Sequence, residues 1–179
     1  AYMGEDPILV CRGSDGTVRA FLNSCRHRGM KVCRADRGNA RQFTCSFHGW
    51  TYGNTGELRG VPQGDKVYGE RLNKAEWGLL EVSKLASYGG LLFGNWDAGA
   101  ESLDDFLGDF RWYIDVMIER QIGGMEFIPG VQRYSLRANW KIASENFTGD
   151  TYHLQYSHGS MFKLDIRQIN PANPSFGLN

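Results

Sequence analysis

An excess of charge of either sign is what this chain most plainly lacks. Twenty Lys and Arg balance twenty Asp and Glu, giving a formal net charge of zero. A general nucleic-acid binder carries a basic excess, so that class is set aside. No apolar run reaches the roughly 18 residues that a membrane-spanning helix needs. The longest, around Leu91, Leu92 and Phe93, is strand-sized. Cysteine is scarce too: four in 179 residues are too few for a disulfide scaffold. Residues 1–7 have neither a basic head nor an apolar stretch, so no signal peptide is expected. Scarce cysteine without a leader points to the cytoplasm, where thiols serve metals or catalysis. There is also no initiating Met, and the chain is expected to be a piece of something longer.

Glycine, by contrast, is plentiful: 23 residues, about twice the usual share of roughly 7%. That favours turns and a β-rich region. In the first half, Ile8 to Val10 and Val18 to Leu22 flank the turn Ser14-Asp15-Gly16, which predicts a hairpin. Further strands are expected at Arg41 to Cys45, Gly49 to Tyr52, Leu79 to Leu85 and Gly90 to Trp96. A turn is expected at Gly53-Asn54-Thr55-Gly56. Near residue 100 the period changes. Leu103, Phe106, Leu107, Phe110, Tyr113, Ile114, Met117 and Ile118 recur at 3-and-4 spacing and predict one helix with a core-facing stripe. Ser102 with Asp105 reads as its capping box, and Gly123-Gly124 as its stop. Val131 to Ala138 reads as a strand, and Asn139 as the cap of a helix holding Trp140, Ala143 and Phe147. These readings give an α+β chain: an antiparallel β domain over residues 1–100, then a second domain over 101–179.

Two constellations carry chemistry. The first is Cys25-Arg26-His27 and Cys45-Ser46-Phe47-His48, with seventeen residues between the two units. Thiolate sulfur and imidazole nitrogen suit zinc or an iron–sulfur centre. A zinc site of two Cys and two His is one reading. The other is a two-iron, two-sulfide centre with both cysteines on one iron and both histidines on the other. Zinc fingers usually pair Cys with Cys and His with His, whereas each unit here contributes one of each. Gly29 and Gly49 follow the histidines closely and would let backbone amides approach sulfur. Cys11 and Cys33 lie outside this spacing and read as free thiols.

The second constellation is Asp150, His153 and His158. Asp150 and His153 stand three apart, about 60° around a helix, and share a face. His153 and His158 are five apart, about 140° on an ideal helix, so both reach one ion only if the helix ends or distorts between them. Two histidines and a carboxylate suggest a mononuclear non-haem Fe(II) site. Asp165 is a weaker candidate for a local third ligand, with no spacing to recommend it.

At Cys25, His27, Cys45 and His48 the sequence resembles the Rieske family. It differs from the respiratory members, which carry an extra disulfide-forming cysteine in each loop, where Met30 and Phe47 stand here. The run His48-Gly49-Trp50 is instead similar to ring-hydroxylating oxygenases. Their large subunits carry Glu-Asn-x3-Asp-x2-His-x4-His, which appears here as Glu145, Asn146, Asp150, His153 and His158. The resemblance implies an internal fragment of the large (α) subunit of an aromatic-ring-hydroxylating dioxygenase of the naphthalene, biphenyl and polycyclic-hydrocarbon type. It implies a Rieske [2Fe-2S] domain, then the truncated start of a helix-grip-like catalytic domain. Cys25, His27, Cys45 and His48 would hold the cluster, and His153 and His158 the mononuclear Fe(II). Asp150 and Asn146 would serve catalysis, with Asp150 bridging His153 to His48 of a neighbouring subunit. The third iron ligand would lie beyond residue 179. NADH electrons would arrive through a reductase, often with a ferredoxin, into an α3 or α3β3 assembly. Both atoms of O2 would enter an aromatic ring to give a cis-dihydrodiol. A Rieske monooxygenase such as a salicylate hydroxylase, and a Rieske protein that only carries electrons, are the alternatives.

Residues 26–41 hold Arg26, Arg28, Lys31, Arg34, Arg37 and Arg41 against one acid, Asp36. Two readings stand: an electropositive rim that docks an acidic electron donor, or a solvated loop face with some ion pairs.

Overall fold

The computed structural model describes residues 1–128, 130 and 135–160. The chain divides into two compact units, 1–128 and 129–179. The first is built from three small antiparallel sheets. Strands β1 (Tyr2–Met3), β2 (Asp6–Arg12) and β3 (Val18–Leu22) form one; β4 (Gln42–Thr44), β5 (Thr51–Gly53) and β6 (Leu58–Gly60) form the second; β7 (Lys84–Tyr88) and β8 (Leu91–Asn95) form the third. The expected hairpin is there, with Leu9 opposite Phe21 and Val10 opposite Ala20.

Strand positions that alternate inward build the core. Ile8 and Ala20 join Val82 in one buried cluster. Phe21, Phe43, Trp50, Tyr52, Leu58 and Leu79 join Cys25 and Cys45 in the other. Both thiols are thus packed among aromatic and aliphatic side chains. Phe21 and Tyr52 are the largest fully buried residues. Phe21 explains Gly56: φ there is +92°, and a Cβ would meet the phenyl ring at 2.5 Å. Only glycine satisfies both demands.

Several expectations are corrected. Leu79 to Leu85 is not one strand. It runs along β3 through a single bridge, Phe21 to Glu81, flanked by Leu22 N–H to Leu80 O and Val82 N–H to Ala20 O. Strand β7 starts only at Lys84. Strands β1 and β6 and the short helix α1 (Gly64–Val67) were not anticipated; segments of two to four residues are too brief to show a period.

The predicted helix over residues 103–118 is two, α2 (Leu103–Leu107) and α3 (Phe110–Ile118). Gly108, at φ +46° and ψ −129°, leaves the helical region and separates them. Ser102 caps α2 as expected, its Oγ accepting Asp105 N–H at 3.1 Å. Of the apolar stripe only Leu107 and Ile114 are buried, while Phe106, Phe110, Tyr113 and Met117 are exposed. The Tyr88 hydroxyl donates to Asp115 Oδ1 at 2.7 Å and ties the β7–β8 hairpin to α3. Helix α3 ends at Ile118, before Gly123-Gly124.

In the second unit, Asn139 caps α4 (Trp140–Thr148) by accepting Lys141 N–H at 3.0 Å, and α5 (His153–Ser157) follows. Of the strand expected at Val131 to Ala138, residues 131–134 lie outside the described residues and 135–138 form no strand. Among the described residues no helix is long and apolar enough to cross a membrane.

Candidate metal centre

The two cysteine–histidine units fold into the same backbone turn. In the first, Gly29 N–H donates to Cys25 O at 2.8 Å and Cys25 N–H to Met30 O at 2.8 Å. In the second, Gly49 N–H donates to Cys45 O at 2.9 Å and Cys45 N–H to Trp50 O at 2.8 Å. Each cysteine therefore closes a turn with the residues four and five positions on. Gly29 (φ +74°) and Gly49 (φ +71°) take the left-handed conformation that reverses the chain. At Gly49 a Cβ would also meet Pro62 Cγ at 2.8 Å.

The four candidate donors split by burial. Cys25 and Cys45 are 3% and 2% exposed. His27 is half-buried and His48 exposed. The imidazoles meet edge to face, with ring centroids 4.6 Å apart. Trp50 lies flat against His27, 5.0 Å between centroids and 5° between planes, backed by Trp77 and Tyr68. Nδ1 of His27 is buried and has no hydrogen-bond partner. An orphaned buried nitrogen beside a second imidazole fits a metal ligand better than a structural histidine. Burial, reinforced by the nearby His48 and Arg28, lowers the His27 pKa below its ordinary value and favours the neutral ring that binds metals. No group of three or more His, Cys, Asp or Glu among the described residues is arranged around a single ion. A binuclear centre needs only two protein donors per metal.

The sequence did not single out Tyr52. Its hydroxyl, at the end of a fully buried ring, lies 3.3 Å from Cys25 Sγ and accepts Arg26 N–H at 3.1 Å. Burial first, and the Cys25 contact second, raise its pKa, so it stays a phenol. A thiolate accepts only, so the phenol is the donor when Cys25 is deprotonated. Cys11 and Cys33 are free thiols: Cys11 Sγ donates to Asn54 O, and Cys33 Sγ to Ala35 O.

The second constellation forms where α4 gives way to α5. Gly149 and Asp150 both donate their N–H to Glu145 O, at 2.9 and 3.0 Å, which ends α4. Asp150 Oδ1 then accepts Tyr152 N–H at 3.0 Å and starts the next turn. Helix α5 closes at Ser157, and His158 caps it. That early closure brings the His153 and His158 rings to 5.3 Å between centroids. Asp150 Oδ2 is 3.3 Å from His153 Nδ1, off the direction a hydrogen bond needs, and Nδ1 is buried without a partner. Asn146 is exposed on α4, and its side chain makes no hydrogen bond among the described residues. Asp165 lies outside the described residues.

Comparison with known proteins adds to this geometry. The family model for the Rieske [2Fe-2S] domain matches residues 1–84, and that for the ring hydroxylating alpha subunit catalytic domain matches residues 103–173. The chain is 49% identical to biphenyl 2,3-dioxygenase subunit alpha of Rhodococcus jostii (strain RHA1), over 85% of this chain and 33% of that protein. It is 49% identical to benzene 1,2-dioxygenase subunit alpha of Pseudomonas putida, over 98% of this chain and 40% of that protein. A crystal structure of naphthalene 1,2-dioxygenase from Rhodococcus sp. bound to indole superposes with a TM-score of 0.79 at 48% identity, covering 90% of this chain and 37% of that one. The chain thus spans 33% to 40% of the length of these curated relatives.

Proposed function

Because this chain belongs to the ring-hydroxylating oxygenase alpha-subunit family, with a Rieske [2Fe-2S] domain leading into a catalytic domain, we propose that it is the electron-accepting and iron-binding part of an aromatic-ring dioxygenase. On this reading residues 1–100 form the Rieske domain and 101–179 the start of the catalytic domain. Cys25 and Cys45 hold one iron of the cluster, and His27 and His48 the other. His153 and His158 bind the mononuclear Fe(II). When bound, the two centres supply one-electron transfer and O2 activation, adding both oxygen atoms to an aromatic ring as a cis-dihydrodiol.

The chain's own residues divide the remaining work. Trp50 keeps the His27 ring dry and oriented. His48 presents an open edge through which electrons leave. Asp150, whose carboxylate stands 3.3 Å from His153 Nδ1, needs only to turn toward that nitrogen to accept its N–H and fix its tautomer, and from there it reaches His48 of a neighbouring subunit. Asn146, on the helix that leads into Asp150, completes the catalytic set. The assembly is an α3 or α3β3 ring in the cytoplasm, fed from NADH through a reductase with or without a ferredoxin. A protein that only carried electrons would leave residues 103–173 without a task.

The observation that carries this reading is the pair of matching turns, with two buried thiols and two touching imidazoles. Electron paramagnetic resonance of the dithionite-reduced protein, with iron and acid-labile sulfide assays on the same sample, tests it. A rhombic two-iron signal with sulfide matching the cluster iron is expected. A colourless, silent, zinc-loaded protein after proper reconstitution overturns it.

Tyr52→Phe tests the sulfur environment separately. The phenol's hydrogen bond to Cys25 Sγ favours the reduced, more negative cluster. A difference of about 1 kcal/mol between oxidation states corresponds to roughly 40 mV on a one-electron couple. The variant's reduction potential should fall by about that amount in a redox titration. An unchanged potential removes the phenol from the cluster's surroundings.

A further inference from the structure

The basic loop between the two ligand turns has an asymmetry that the rest of the chain lacks. Residues 26–41 carry six basic side chains and one acid, while the remaining residues carry fourteen basic and nineteen acidic. Two of the six are occupied nearby. Arg26 lies 5.8 Å from the Trp77 ring, and Lys31 Nζ donates to Tyr2 Oη at 3.0 Å. The other four, Arg28, Arg34, Arg37 and Arg41, are exposed, and among the described residues none has a carboxylate within ion-pair distance. Elsewhere Arg19, Arg59 and Arg111 hold carboxylates at 2.7, 2.6 and 3.2 Å. The loop face is thus exposed, but among the described residues these four arginines lack the ion pairs that the second reading of the segment expects.

Its placement is fixed at both ends. Asn23 Oδ1 accepts the N–H groups of Val32 and Cys33 at 3.0 and 2.9 Å, and Nδ2 donates to Cys33 O at 2.7 Å. The loop therefore leaves the first ligand turn at a clamped point. At its other end β4 leads directly into Cys45. Every residue from 34 to 41 is exposed. Four uncompensated cations on one loop repel each other unless an anionic partner meets them.

We propose that the Arg34–Arg41 loop, together with Arg28, is the docking face for a small acidic redox protein that delivers electrons to the cluster. This rests on the cluster assignment made above. Docking here leaves His48, on the other ligand turn, free for the exit contact with a neighbouring subunit. Entry and exit then use different turns of the same centre.

The test is stopped-flow reduction of the cluster-loaded protein by a reduced plant-type [2Fe-2S] ferredoxin of net negative charge. Photoreduced deazariboflavin serves as a small donor without a docking requirement. The wild-type rate with ferredoxin should fall steeply as salt rises. Arg34→Glu with Arg37→Glu should lower that rate about tenfold or more at low salt and abolish the salt dependence, leaving the deazariboflavin rate unchanged. Arg41→Glu gives an independent second variant expected to act the same way. Equal ferredoxin rates in wild type and both variants overturn the docking face while the cluster reading stands. A wild-type protein that holds no two-iron cluster overturns both.

Discussion

Asp150→Asn is expected to cut electron delivery to the mononuclear iron by about a hundredfold or more, with both metal sites still loaded at saturating iron. The reason lies in how the carboxylate divides its oxygens. Oδ1 accepts Tyr152 N–H at 3.0 Å, and Oδ2 faces His153 Nδ1 at 3.3 Å. An Asn side chain must keep its one oxygen on the Tyr152 N–H, because that position needs an acceptor. Its NH2 then faces Nδ1. With Asp, a proton on Nδ1 is favoured and Nε2 keeps its lone pair for the iron. With Asn, two donors oppose each other, and the proposed link toward His48 of a neighbouring subunit loses its negative charge. Iron affinity should weaken by roughly 10- to 100-fold from the lost outer partner, which saturating iron overcomes. The lost coupling is not recoverable that way. Single-turnover reduction of the mononuclear site, with iron counted in the same sample, separates these effects. Complete loss of the mononuclear iron would instead make Asp150 a direct ligand.

The sequence exposed what depends on local spacing and hid what depends on distant contacts. The β2–β3 hairpin was legible because Ser14-Asp15-Gly16 lies between two apolar runs. Asn139 was legible as a cap because its role is played out two residues away. The split between α2 and α3 was not, because apolar spacing continues through Gly108 and only the backbone angles there break the helix. Nor did the stripe tell which side is covered: Phe106 is 70% exposed and its neighbour Leu107 only 6%.

At the site, the ligand spacing and the two glycines were visible, and the turns that they form follow from them. Tyr52 was invisible, since its partner Cys25 is 27 residues away and no periodicity links them. Trp50 is visible in the sequence only as the end of the run His48-Gly49-Trp50, since an aromatic in a core is the ordinary case. Its flat contact with His27 gives it a position beside the proposed ligands. The sequence left open whether the helix ends between His153 and His158. The backbone ends α5 at Ser157, and the two rings lie 5.3 Å apart.

His48→Ala is expected to remove the rhombic two-iron signal and reduce cluster iron and sulfide to near zero. Each iron of the proposed centre has only two protein donors, so one deletion halves the protein's hold on one metal. The position makes this worse than burial alone would suggest. His48 is exposed, whereas Cys25 and Cys45 are shielded, so its removal opens the centre to water on the side already least protected. His27 is left with a buried Nδ1 and no second imidazole at 4.6 Å. The backbone itself should survive. The second turn is closed by Gly49 N–H to Cys45 O and Cys45 N–H to Trp50 O, and neither bond uses the His48 side chain. Circular dichroism should therefore stay close to wild type while the visible absorbance disappears. Phe47→Ala is the matched control. Its ring is exposed and sits 3.9 Å from the His48 ring, so it loses packing at the same surface without losing a donor. A loaded Phe47→Ala beside an empty His48→Ala assigns the loss to coordination. An intact two-iron spectrum in His48→Ala would remove His48 from the ligand set, and with it the exit route to the neighbouring subunit.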